Sequence, residues 1–91
     1  MSPPDRILIA ARILVGQTQR ELAKATGFTQ KTVYLIEKGE AGFGAVERLT
    51  EHFEKCGITF IKPEGSEGWG VRASSLIAGY RSDTSNQSSS D

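Results

Sequence analysis

The segment TQRELAKATGFTQKTVYLIEKG, residues 18–39, sets two short helical patterns on either side of Gly27 and Phe28. Thr18 and Glu21 make a T-x-x-E capping box, in which each side chain satisfies a backbone donor of the other. A helix therefore starts there and covers about Gln19 to Ala25. Gly27 supplies the positive φ that a tight exit needs, and Thr29 can cap a second helix that runs through Lys38 to a stop at Gly39. Two helices joined by so short a turn cross closely, so their contact positions must be small or apolar while the outer face of the second stays free. Leu22 and Ala23 are the inward positions of the first, Val33 and Ile36 those of the second. At about 100° per residue, Lys31, Tyr34, Leu35 and Lys38 then project from the side opposite Val33 and Ile36, with Gln30 and Glu37 at the margins.

That outer face is chemically biased. A helix that served only the core would solvate a mixed-sign face, whereas this one carries two lysines, an aromatic ring and an exposed leucine, with Gln30 in its first turn. Glutamine can bond an adenine edge bidentately, lysine can bond guanine or a phosphate, and leucine can touch a thymine methyl group. Thr18, Gln19 and Arg20, at the N-terminus of the preceding helix, suit a phosphate. Thr29 and Thr32, at the start of the second helix, complete the candidate DNA-binding set of Thr18, Gln19, Arg20, Thr29, Gln30, Lys31, Thr32, Tyr34, Leu35 and Lys38.

Upstream, the prolines of SPPD stand where a helix start tolerates them, and Asp5 is favourable near the positive end of the macrodipole. Helix 1 should run from about Pro4 to Val15 and stop at Gly16. Leu8, Ala11, Arg12 and Val15 share one face, but Ile7, Ile9, Ile13 and Leu14 extend the apolar surface well beyond a single stripe. Something besides the next two helices must cover it. Downstream, residues 39–44 (GEAGFG) read as a connector, after which Val46, Leu49 and Phe53 line one side of a fourth helix ending near Cys56 and Gly57. ITFI at 58–61 is β-prone, and GVRA at 70–73 can return against it across the glycine-rich loop KPEGSEGW as a hairpin. The fold expected is mainly α: four helices with a helix-turn-helix, then a short C-terminal β-hairpin, all within residues 1–73. Residues 74–91 read as a flexible tail. LIAGY at 76–80 could pack on the domain or meet a partner, and beyond Tyr80 no aliphatic or aromatic residue offsets the entropy of ordering.

With 91 residues the chain supports one core, and with 37% hydrophobic and 24% charged residues it has the composition of a soluble globular protein. It has no apolar run long enough to span a membrane, and residues 7–15 (ILIAARILV), interrupted by Arg12, make a poor export signal, so a cytoplasmic location is expected. His52 and Cys56 are the single histidine and cysteine, too few for an internal disulfide or a Cys/His metal site; no metal and no cofactor are expected. The formal net charge is zero, but the charges are segregated: residues 1–39 hold six cations and three anions, a net +3, and residues 40–67 hold three cations and six anions, a net −3. Such a molecule can present a basic face to an anionic polymer while staying neutral overall.

The pattern T-Q-x-x-L-A-x-x-x-G-x-T-x-x-x-V-x-x-I-E-x-G at 18–39 resembles the XRE family of helix-turn-helix regulators, which includes phage repressor and Cro proteins. The similarity extends over about residues 5–56, and the segment GITFIKPEGSEGWGVR resembles the C-terminal part of some small bacterial members. It implies that helix 3 enters the major groove with Gln30, Lys31 and Leu35 facing bases, and that Gln19 binds a backbone phosphate. It also implies that Arg12 pairs with Glu37, an ion pair that holds the fold rather than touching DNA. Two positions depart from the family pattern. Phe28 replaces a smaller aliphatic residue in the turn, and Leu35 stands where a polar residue is frequent, leaving apolar readout there.

The function expected is sequence-specific binding of double-stranded DNA by a transcriptional regulator, most simply a repressor, acting as a homodimer on half-sites about 34 Å apart. The surplus apolar surface of helix 1 and an edge of the hairpin are the candidate dimer contacts. The competing reading is a protein-binding adaptor, such as an antitoxin or antiactivator, that uses the same fold to mask a partner protein. No carboxylate pair, nucleophile with base, or phosphate-cradling loop occurs at a spacing that would support catalysis, so an enzyme is not expected.

Overall fold

The computed structural model describes residues 2–74. Four helices, α1 (Asp5–Val15), α2 (Gln19–Thr26), α3 (Gln30–Glu37) and α4 (Phe43–Lys55), precede an antiparallel hairpin of β1 (Ile58–Ile61) and β2 (Gly70–Ala73). The expected order of four helices and a hairpin is the observed one. The boundaries are set locally. The Pro4 carbonyl accepts the amides of Ile7 and Leu8, and α1 closes at Gly16, whose φ of 78° lets its amide turn back to the carbonyls of Arg12 and Ile13. At α2 both halves of the capping box form: the Glu21 amide donates to Thr18 Oγ1 at 3.1 Å and the Thr18 amide to Glu21 Oε1 at 2.9 Å. The sharp turn into α3 depends on Gly27, held at φ 81° with open space where a Cβ would stand, so its constraint is conformational rather than steric.

Each helix contributes apolar residues to one shared core. Leu8, Ala11 and Val15 of α1, Leu22 and Ala23 of α2, Val33 and Ile36 of α3, and Leu49 and Phe53 of α4 are buried together with Ile58 of β1. The surplus apolar surface of α1 has its cover in the hairpin: β2 packs on α1 while β1 packs on α4. Phe60 meets the Phe53 ring edge-on with centroids 6.4 Å apart. The two segments pair as the hairpin expected from the sequence, and the register sets Ile58 against Ala73, Thr59 against Arg72, Phe60 against Val71 and Ile61 against Gly70. Just past β2, the Ser74 amide donates to the Gly57 carbonyl at 2.9 Å and ties the end of the hairpin back to its beginning.

Three expectations need correction. Helix 4 begins at Phe43, inside what the sequence suggested was a connector, because Gly42 takes the extended N-cap conformation and Gly44 is tolerated in the first turn. α2 runs one residue further than expected, to Thr26, whose hydroxyl donates to the Leu22 carbonyl at 2.9 Å and so stays within the helix. The apolar excess of α1 is mostly consumed by the hairpin, leaving Ile13 (64% exposed) as its one large, widely exposed hydrophobe. The segment 76–80 and the tail beyond it lie outside the described residues. Among the described residues no helix is long and apolar enough to cross a membrane.

Phe53 is wholly buried between α4, the hairpin and the helical core. Phe53→Ala should therefore lower the unfolding free energy by about 3–5 kcal/mol, read as a fall in the urea midpoint with an unchanged slope. His52, one residue away, has its pKa lowered by burial and by the charge of Lys55. The folded protein thus disfavours imidazolium, and its stability is full above the ordinary histidine value of 6.5 and declines as the pH falls through the lower folded value. Urea midpoints at pH 7.5 and pH 5 should separate more in the parent than in His52→Gln.

Candidate nucleic-acid interface

Helix α3 is anchored on one side and open on the other. Val33 and Ile36 are fully buried, while Gln30, Lys31, Tyr34 and Lys38 are exposed. Thr29 caps the helix, its Oγ1 accepting the Thr32 amide at 3.1 Å, and the Thr29 and Thr32 hydroxyls lie 3.0 Å apart. These two threonines thus fix the first turn, from which Gln30 and Lys31 project. Four residues on, Tyr34 is 47% exposed and Lys38 Nζ sits 5.4 Å from its ring centroid. Lys38 also lies 3.8 Å from Glu40, an exposed pair of little energetic weight that nonetheless places a carboxylate beside it. Lys31 has no such neighbour and is the freer cation.

Leu35 differs from its expected placement. It is half-buried rather than projecting freely, because the core reaches α3 over an arc wider than the Val33–Ile36 axis. Its apolar side chain is therefore at the rim of the outer face, not at its centre. Glu37, expected at a margin, is buried.

The burial of Glu37 is what holds α3 in place. Arg12 Nε donates to Glu37 Oε2 at 2.6 Å and Arg12 Nη2 to Oε1 at 3.3 Å, while Arg12 Nη1 donates to the Gln17 carbonyl at 3.0 Å. Gln19 Nε2 adds a further bond to Glu37 Oε1 at 2.9 Å. The Arg12–Glu37 pair implied by the family resemblance is thus present, and a third partner, invisible in the sequence, joins it. Gln19 is therefore half-committed: its amide nitrogen faces Glu37, and its carbonyl end is left for another donor. Thr18 is occupied as a cap, whereas Arg20, the next residue of α2, is exposed and carries its charge outward.

On the far side of the turn, Phe28 is half-buried against the core, and the Arg48 guanidinium of α4 lies 4.6 Å from its ring centroid. The bulky turn residue is thus accommodated by stacking on α4. Sequence reasoning also passed over Phe43, which is 71% exposed at the first position of α4, immediately after the loop that follows α3. An aromatic residue flanked by two glycines was the available signal.

No protein-family model matches this sequence, and no curated protein matches it.

The Arg12–Glu37 pair is only partly shielded on the arginine side, with side-chain exposures of 19% and 6%. Arg12→Ala should cost about 3 kcal/mol, the low end for removing one partner of a buried pair. Arg12→Lys keeps the charge but not the fork of donors and should recover only part of it. Chemical denaturation of both variants checks this ordering; equal stability of Arg12→Ala and the parent would remove the clamp from the account.

Proposed function

We propose that this protein is a sequence-specific, DNA-binding transcription regulator of the helix-turn-helix type, similar to the XRE regulators, and that it acts in the cytoplasm as a repressor. Helix α3 would lie in the major groove of double-stranded DNA. One observation carries the reading: a short helix locked from behind by Val33, Ile36 and the Glu37 clamp displays Gln30, Lys31, Tyr34 and Lys38 outward in a row. A groove reader needs that combination of rigid backing and free polar side chains, because each base contact depends on holding donors within hydrogen-bond geometry.

The roles follow from the environments. Gln30 and Lys31, at the N-terminal end of α3, would reach base edges. Lys38, steadied over Tyr34, would meet a phosphate, as would Arg20 and the free carbonyl end of Gln19 through a water. Leu35, at the rim, would contribute apolar contact with a thymine methyl group. A single module of this size reads few base pairs, so a homodimer on two half-sites about 34 Å apart completes the reading. An edge of the hairpin, with which no further strand pairs among the described residues, is the candidate surface for joining two copies, because its outer backbone groups can take a partner strand.

A gel-shift titration against the DNA upstream of the protein's own coding sequence tests this. Lys31→Ala and Lys38→Ala should each weaken binding with no loss of thermal stability, and each lost phosphate contact should lower the log–log salt slope by about 0.9. Lys31→Ala should have the larger effect, because Glu40 already attenuates Lys38. Unaltered binding by both variants would overturn the assignment of α3 as the reader.

A further inference from the structure

Three of the six glutamates of residues 40–67 converge on a cleft. Between α4 and the hairpin lies a cavity of about 220 Å³, with Glu47, Glu51 and Glu54 along α4 and Phe60, Lys62 and Trp69 contributed by the hairpin and its loop. The three glutamates recur at i, i+4 and i+7, so they share one face of the helix. Glu47 accepts a hydrogen bond from Ser2 Oγ at 2.6 Å. Among the described residues, Glu51 and Glu54 make no ion pair and the Trp69 indole donates no hydrogen bond. Three carboxylates therefore face one lysine, beside two aromatic rings.

This combination selects its occupant. The volume is below the roughly 300–1,000 Å³ of sites for drug-sized ligands, and suits a single side chain. Carboxylates repel a phosphate or an acidic peptide and attract a cation. Of the two biological cations of this size, guanidinium fits better: its planar face stacks on an aromatic ring while its edge donates in a fork to carboxylate oxygens, and it is less strongly hydrated than an ammonium group.

We propose that the cleft between α4 and the hairpin takes an arginine side chain presented by a segment of a partner protein. None of the lining residues belongs to α2 or α3, so the partner and DNA would engage different elements, and the inference does not rest on the DNA-binding reading. A different protein is the better occupant than a second copy of this chain. Among the described arginines, Arg12 is committed to Glu37 and Arg48 to Phe28, and Arg6 and Arg20 belong to the basic half of the sequence, which leaves Arg72, exposed on β2, as the one through which a second copy would have to enter.

Trp69 is the only tryptophan in the chain, so its fluorescence reports the site directly. The full chain is titrated with a glycine–serine peptide carrying three arginines, with the same peptide carrying lysine, and with a third carrying citrulline, which keeps the shape of arginine without its charge. The arginine peptide should shift the Trp69 emission saturably and bind at least tenfold tighter than the citrulline peptide, with lysine between them. The double variant Glu51→Gln/Glu54→Gln should lose at least tenfold in affinity with an unchanged melting curve, and Trp69→Leu, followed by calorimetry, should also bind more weakly. Lys31→Ala should bind the peptide as the parent does. Equal binding of the arginine and citrulline peptides, or parent-like affinity in the double variant, would overturn the proposal. So would sedimentation showing a dimer that the double variant dissociates, since the occupant would then be a second copy.

Discussion

The carboxylate of Glu37 is where three helices are fixed to one another. It belongs to α3, receives two bonds from Arg12 of α1 and a third from Gln19 of α2. Apolar burial brings these helices together but is non-directional, so by itself it leaves their relative rotation loosely defined. A carboxylate filled by a guanidinium fork and an amide allows little such freedom. The arrangement also approaches the condition under which a shielded ion pair is tolerated, because both oxygens of Glu37 are bonded and a third arginine N–H is used on the Gln17 carbonyl. The dependence is strongest for α3, which has eight residues; isolated helices below about 12–15 residues are marginal in water. Its cap at Thr29 and its back at Val33 and Ile36 hold it as a helix, and the Glu37 clamp aims it.

The hairpin and the helices are similarly interdependent. A two-stranded sheet is marginal alone, and α1 carries more apolar surface than α2 and α3 can cover. Laying β2 on α1 and β1 on α4 answers both needs at once, with Ile58 entering the common core and Phe60 closing on Phe53. The hairpin is thereby part of the domain rather than an appendage. It also forms one wall of the acidic cleft, so the same packing that completes the core creates the second candidate site.

The features legible in the sequence are those encoded locally. The capping box at Thr18 and Glu21, the turn at Gly27 and the cap at Thr29 each depend on residues within four positions, and each occurs where the pattern placed it. The hairpin was legible because two short β-prone runs flank a loop rich in glycine, leaving little choice of partner. Features that depend on the crossing of distant elements were not legible. Gln19 and Glu37 are 18 positions apart, and no periodicity brings them together. Leu35 was misplaced because a wheel drawn through Val33 and Ile36 alone underestimates the arc over which α1, α2 and α4 press on α3. The start of α4 was missed because glycines on either side of Phe43 suggest a turn, although a glycine can serve as the N-cap itself. In the candidate interface the outward row was legible; the commitment of Gln19's amide to Glu37 was not.

Net charge is the property that most misleads here, and the structure explains why. Arg12 and Glu37 neutralise each other within the fold, and their removal from the surface count subtracts one charge of each sign from residues 1–39. The surplus of +3 therefore survives at the surface, on Arg6, Arg20, Lys24, Lys31 and Lys38 against Asp5 and Glu21. Glu21 is itself turned toward the Thr18 amide, where it neutralises the positive end of α2 rather than the outer lysines. At physiological ionic strength a charge is felt over about 8 Å, so a ligand meeting α3 responds to the charges within that reach. The six glutamates of residues 40–67 are concentrated on other elements, apart from Glu40 beside Lys38. A chain of zero net charge can in this way offer a polyanion a cationic surface and, on separate elements, offer a cation an anionic one.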